Sequence, residues 1–182
     1  GVGLVGHVRI GHGRGDDLLP TARLRQLGPH TPREACKGGG PDGVSRIMQL
    51  TARGNFRAKV EAVLRALEGH GWEPIVAEAL RTEAQQRVKV NAGFSRTMRS
   101  KHLPGPDGLA RAADIVLKGH GWNAPERFWR MLGSSALGHG LIWGGLFGLN
   151  RRMKAALIKS LADKDWDSMA KRGWDPAHLE QP

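Results

Sequence analysis

The stretch SKHLPGPDGLARAADIV, residues 100–116, constrains this chain more than any other. A turn rich in Gly and Pro is bracketed by His102 and by Asp114, and Asp114 interrupts the otherwise apolar run Ala112-Ala-Asp-Ile-Val-Leu117. A short apolar run bounded by turn signals predicts a buried strand. An ordinary surface loop needs neither flanking residue, whereas a metal site uses both. A metal site of that kind would need the fold to bring a loop histidine next to a strand aspartate.

The elements around that stretch alternate irregularly. Phe56, Val60, Val63, Leu64 and Leu67 recur at helical spacing, predicting a helix that runs to about His70 and stops at Gly69-His-Gly71. Trp72 to Leu80 reads as a strand with Pro74 near its start. Thr82 is a candidate cap for a helix over 82–90. Asn123-Ala-Pro-Glu predicts a third helix with Asn123 as cap and Phe128, Met131 and Leu132 facing inward. Leu141-Ile-Trp143 reads as a short strand, Arg151 to about Leu161 as a basic helix, and 173–180 as the carrier of a last strand. Without a steady strand–helix–strand alternation, α+β fits better than a doubly wound sheet.

Composition narrows the partners. One cysteine, Cys36, excludes an intrachain disulfide framework and a multi-cysteine metal site, so any metal falls to His and carboxylates. The net charge of +11 predicts attraction to polyanions. The basic residues are scattered, though, and with no Tyr and few aromatic platforms the expectation is no nucleic acid. The wall polymer or an outer-membrane lipid is the alternative anion. Residues 1–47 hold 11 of the 26 Gly, 4 of the 10 Pro and no aromatic residue. They are expected to be a disordered or non-native extension, leaving 48–182 as the folded domain. The first residues lack a signal peptide's pattern, and no apolar run is long enough for a transmembrane helix.

Zinc in a hydrolase takes three protein ligands and keeps one position open. His102, Asp114 and His178 are the candidates, with Asp107 in the loop as a rival ligand. Two neutral imidazoles and one carboxylate leave the centre one net positive charge, which acidifies water and polarises a carbonyl. Asp175, three residues before His178 and followed by Pro176, is the candidate general base, with Glu180 as its alternative. The other His read as structural; His70, His120 and His139 lie in Gly-His-Gly turns.

Four motifs stand in order: Ser100-Lys-His102; Gly-Leu-Ala-Arg-Ala-Ala-Asp114; Trp143-Gly-Gly; and Asp175-Pro-Ala-His178-Leu-Glu180. Together they resemble the zinc peptidases that cleave peptidoglycan stem peptides. That superfamily holds D-Ala-D-Ala carboxypeptidases and dipeptidases and the L-alanyl-D-glutamate endopeptidases of phage endolysins. The resemblance covers about residue 56 to 182. It implies a small antiparallel sheet carrying Zn2+ and flanked by helices, the fold shared by hedgehog proteins and D-Ala-D-Ala peptidases. It implies His102, Asp114 and His178 as ligands, Asp175 as base, and Arg81 as the group that binds substrate and the developing oxyanion. Ser100 is implied to orient substrate or a ligand, and Trp143 to shape the cleft floor.

Three departures mark this chain. Eleven residues separate His102 from Asp114 where the family has six, so the loop must bulge while its flanks still pair. The base is Asp rather than Glu, which points to the endopeptidase branch. Phe147 stands near the place of a second Trp, and the stretch 148–172 is an insertion. The expected function is L-alanyl-D-glutamate cleavage by a monomeric phage or prophage endolysin that waits in the host cytoplasm for a holin. D-Ala-D-Ala carboxypeptidase activity, with Arg99, Lys101 or Arg111 binding the terminal carboxylate, is the first alternative. A non-catalytic wall-binding module is the second.

Overall fold

A computed structural model describes residues 46–182; the expected N-terminal extension, apart from Arg46 and Ile47, lies outside them. Among these residues four α-helices of eight residues or more and four strands follow in the order α1 (Phe56–Glu68), β1 (Pro74–Glu78), α2 (Glu83–Asn91), β2 (Ala112–Leu117), α3 (Glu126–Gly138), β3 (Ile142–Trp143), α4 (Arg151–Ala162) and β4 (His178–Glu180), with short 3-10 turns at Arg53–Asn55 and Gly144–Leu146. The strands form one sheet in the order β1-β2-β4-β3, and every pairing is antiparallel. This is the α+β architecture expected.

Side-chain alternation divides the sheet into two faces. Ala113, Ile115, Leu117 and Leu179 share one face, while Asp114, His178 and Glu180 share the other. Trp143 stands opposite Leu179 in the register and completes the apolar face. Helix α1 buries Phe56, Val60, Val63 and Leu67. Helix α3 buries Phe128, Trp129, Met131 and Leu132. Each such side chain contributes about 1.5–3 kcal/mol relative to exposure, so this layer holds the sheet rigid beneath the polar face.

Local signals set most boundaries. Thr82 closes a capping box with Gln85 at the start of α2. Two of the Gly-His-Gly stretches follow helices and one follows β2, and Gly71, Gly119, Gly121 and Gly140 all take positive φ. Helix α3 differs from expectation: it begins at Glu126 with Pro125 at the N-cap and no side-chain cap. Asn123 instead donates its backbone N–H to His120 O and so belongs to the preceding turn. The 148–172 stretch supplies α4, which buries Leu157 and Leu161 in the core and exposes Arg151, Arg152, Lys154 and Lys159.

Candidate metal centre

The antiparallel register builds the centre. Asp114 on β2 is the direct partner of His178 on β4, and Glu78 on β1 is the partner of Asp114, so three polar residues form one row across the sheet. His102 enters from the loop. Ser100 Oγ accepts a hydrogen bond from the His102 N–H at 3.2 Å, and His102 O accepts from the Arg81 N–H at 2.8 Å, tying the loop to the end of β1.

His102, Asp114 and His178 are all buried, and their donor atoms converge. His102 Nε2 lies 3.3 Å from His178 Nδ1 and 3.3 Å from Asp114 Oδ1, and His178 Nδ1 lies 3.1 Å from that same oxygen. The outer ring nitrogens explain which inner atoms carry lone pairs. His102 Nδ1 donates to Ala79 O at 2.7 Å, because a carbonyl only accepts. His178 Nε2 likewise donates to Glu180 Oε2 at 3.1 Å. In the neutral imidazoles, Nε2 of His102 and Nδ1 of His178 therefore point bare lone pairs at a carboxylate oxygen. Three acceptors facing one another call for a cation. A tetrahedron with zinc-type bonds has edges of about 3.3–3.4 Å, close to those observed, so the donor set fits such an ion.

A proton is the competing cation. Burial disfavours charge on His178, but hydrogen bonds to Asp114 and Glu180 and the negative charges of Asp114 and Asp175 push its pKa up to about 10. Burial also works against the Asp114 carboxylate, yet His102 and His178 hold it well below the usual range. For Glu180 the same desolvation is overcome by His178 and Lys101.

The 173–178 segment owes its place to close backbone approaches. A Cβ on Gly144 would stand 2.2 Å from Asp175 O and 2.9 Å from His178 Cβ. A Cβ on Gly145 would stand 2.2 Å from the Trp143 ring, and one on Gly133 in α3 would stand 2.5 Å from its other side. The buried indole thus lies between two glycines, and its Nε1 donates to Pro176 O at 2.7 Å. Trp143 accordingly holds the turn that presents Asp175, while the His178 N–H reaches Asp175 O at 3.2 Å.

Arg81 is buried rather than on the surface. Its Nε and Nη2 donate to the two oxygens of Glu78 at 2.9 and 2.7 Å, and Nη1 donates to Gln86 Oε1. Desolvation and the nearby Asp114 charge oppose ionisation of Glu78, but Arg81 and Lys89 keep its pKa below the usual carboxylate value. Glu78 and Gln86 escaped the sequence reading; their signal was spacing, three residues before and five after Arg81. The carbonyl of Ala79 had no sequence signal at all.

Asp107 turns away from the centre. It accepts from Thr51 Oγ1 and from the Leu109 N–H, with Arg53 4.0 Å away. The expanded loop closes on itself through Gly105 N–H to Leu109 O and Gly108 N–H to Gly105 O, while Arg111 N–H to Lys101 O pairs its flanks. Among the described residues the His102–Asp114–His178 group is the one whose atoms converge for a metal. His139 Nδ1 donates to Ser135 O at 2.8 Å and His120 Nδ1 to Lys118 O at 3.3 Å, both at the ends of their elements.

No protein-family model matches the chain. An L-alanyl-D-glutamate peptidase of Listeria phage A118 is 40% identical over 63 residues, 35% of this chain and 21% of that protein, so the chain spans about a fifth of that relative's length. A crystal structure of the Serratia marcescens L-Ala D-Glu endopeptidase ChiX aligns with a TM-score of 0.45 at 21% identity, over 78% of this chain and 86% of that one. The 63-residue match to a peptidase is in keeping with the resemblance that the four ordered motifs carry.

Proposed function

We propose that residues 48–182 form a zinc peptidase that hydrolyses the L-alanyl–D-glutamate bond of the peptidoglycan stem peptide. One observation carries this reading: three buried lone-pair donors, His102, Asp114 and His178, converge within 3.3 Å of one another, beside Asp175. The 40% identity to the phage peptidase supports the choice of bond.

Bound zinc supplies Lewis acidity toward a carbonyl oxygen and acidifies water. The protein's own groups do the rest. Asp175 takes the proton of the attacking water and returns it to the departing amine, work worth about 10²–10⁴ in rate. Glu180 keeps the proton on His178 Nε2, and Ala79 O keeps it on His102 Nδ1, so both inner nitrogens stay basic. Arg81 already spends an N–H from each of its nitrogens on Glu78 and Gln86, and a second N–H on each terminal nitrogen serves the substrate oxygen. Ser100 orients His102, and Trp143 orients the Asp175 turn.

In this reading the protein acts as a monomeric phage or prophage endolysin, held in the host cytoplasm until a holin opens the membrane. No helix among the described residues is long and apolar enough to cross a membrane. The exposed cations of α4 would hold the anionic wall or outer-membrane lipid.

Mass spectrometry of peptidoglycan digests tests the reading. Free L-alanine ends on the glycan side, lost with chelator and restored by zinc, are expected. A second reading, D-Ala-D-Ala carboxypeptidase, draws on the cavity lined by Arg53, Lys101, Arg111 and Gln181, next to Glu180. Release of D-alanine alone would select it. A chelator-insensitive digest, or none, would remove both.

A further inference from the structure

The centre continues into an aromatic rim that the proposed chemistry leaves unused. The Phe147 ring lies 5.7 Å from the His178 ring, and Trp174 lies 5.9 Å beyond Phe147. Trp174 immediately precedes Asp175, yet it is 50% exposed. Leaving that much apolar surface in water costs about 25 cal/mol per Å². Beside the donor triad, such surface is suited to meeting a ligand.

The indole has fixed neighbours, and half of its surface stays open. Behind it, the Gly173 N–H reaches Gly145 O at 2.5 Å, and a Cβ on Gly148 would stand 3.1 Å from Trp174 Cδ1. Across from it, the Arg96 guanidinium sits 5.3 Å from the ring centroid. Arg96 is presented by a loop that Gln86 anchors, through Nε2 to Ser95 Oγ at 2.8 Å and to Thr97 O at 2.6 Å. Gln86 is also the Arg81 partner. One polar chain therefore links the centre to the rim.

We propose that Trp174, flanked by Phe147 and Arg96, is a saccharide subsite that takes the amino-sugar ring carrying the stem peptide. The proposal rests on the stem-peptide reading above. A pyranose offers an apolar face of axial C–H groups to an indole, while its hydroxyl and acetamido oxygens accept from a guanidinium. In the proposed substrate the ring is joined by a lactyl arm to the alanine whose carbonyl is attacked. One residue of extended chain, about 3.5 Å, plus that arm matches a rim two ring contacts away from His178. In the other direction the peptide carries carboxylates, and the cations Lys101 and Arg111 lie on the Glu180 side of His178. The uncharged ring is thus left to the aromatic side.

Two measurements on the full chain test this. In the first, the peptide-free disaccharide of N-acetylglucosamine and N-acetylmuramic acid is titrated into protein labelled with ¹⁵N-tryptophan. The indole resonance of Trp174, assigned with Trp174→Phe, is expected to shift saturably while that of buried Trp143 stays still. An unmoved Trp174 resonance overturns the subsite. In the second, cleavage of a sugar-bearing stem peptide is compared with that of the same peptide capped by acetyl. Trp174→Ala should cut the wild-type preference for the sugar-bearing form about tenfold, and Arg96→Ala a few-fold. Equal losses on both substrates would show that Trp174 only positions Asp175. If the wild type cleaves neither peptide, the stem-peptide reading falls, and the titration alone still decides the subsite.

Discussion

Two connections flank the donor triad, and they are built to opposite rules. The 103–110 turn is long, closes on its own backbone, and anchors its one carboxylate, Asp107, to Thr51 away from the metal centre. The crossing of 143–145 with 173–178 has no room for a single added carbon at Gly144 or Gly145. The first connection only has to return the chain to β2, because the Arg111–Lys101 pairing and the strand register already fix both ends. The second has to hold Asp175 and His178 in place itself. Length is tolerated where the sheet sets the geometry, and atoms are counted where a turn sets it.

Substitutions at the two connections separate these rules. The largest effect is expected from His178→Ala, which removes a donor from the triad. Both metal content, read by mass spectrometry of the native protein, and hydrolysis should vanish, and a fully active variant would end the assignment. Asp175→Ala should keep the metal and lose about 10²–10⁴ in turnover. Near-normal turnover there would transfer the base role to Glu180. Gly144→Ala drives a Cβ into Asp175 O, so it should destabilise the fold by about 1–3 kcal/mol in a denaturant melt and lower turnover further than that loss explains.

Proton linkage sharpens the same comparison. His178 is raised to about 10 in the fold against an ordinary value near 6.5, so its protonation stabilises the metal-free protein. That contribution is full below about pH 6.5 and is lost as pH rises through about 10. Metal must displace this proton, so calorimetry in buffers of different ionisation heat should show proton release at pH 8. Release should fade in Glu180→Gln, which lacks the carboxylate charge beside Nε2. The smallest effect is expected at the tolerant connection: Asp107→Asn should keep the metal and leave the denaturant melt almost unchanged. Loss of metal in that variant would make the loop part of the centre after all.

Much of this was legible in the chain. Apolar spacing located α1, and the buried run Ala112–Leu117 located β2 to the residue, because burial leaves a strong periodic or continuous signal. The α3 start was misplaced by two residues, since Asn123 serves a turn just as well as a cap. His102, Asp114, His178 and Asp175 were named from residue type and order, and the fold brings the first three together.

The sequence by itself determined the donor types, the strand that carries Asp114, and the glycines that let backbones touch. Only the tertiary structure decided that Glu78, Asp114 and His178 share a row, and that Ala79 O and Glu180 fix which nitrogens face inward. It also placed Trp143 between Gly133 and Gly145, and Arg96 over Trp174. The reason is physical: propensity and periodicity act between near neighbours in the chain, whereas register and lone-pair direction arise between residues dozens of positions apart, once packing has fixed every strand at once.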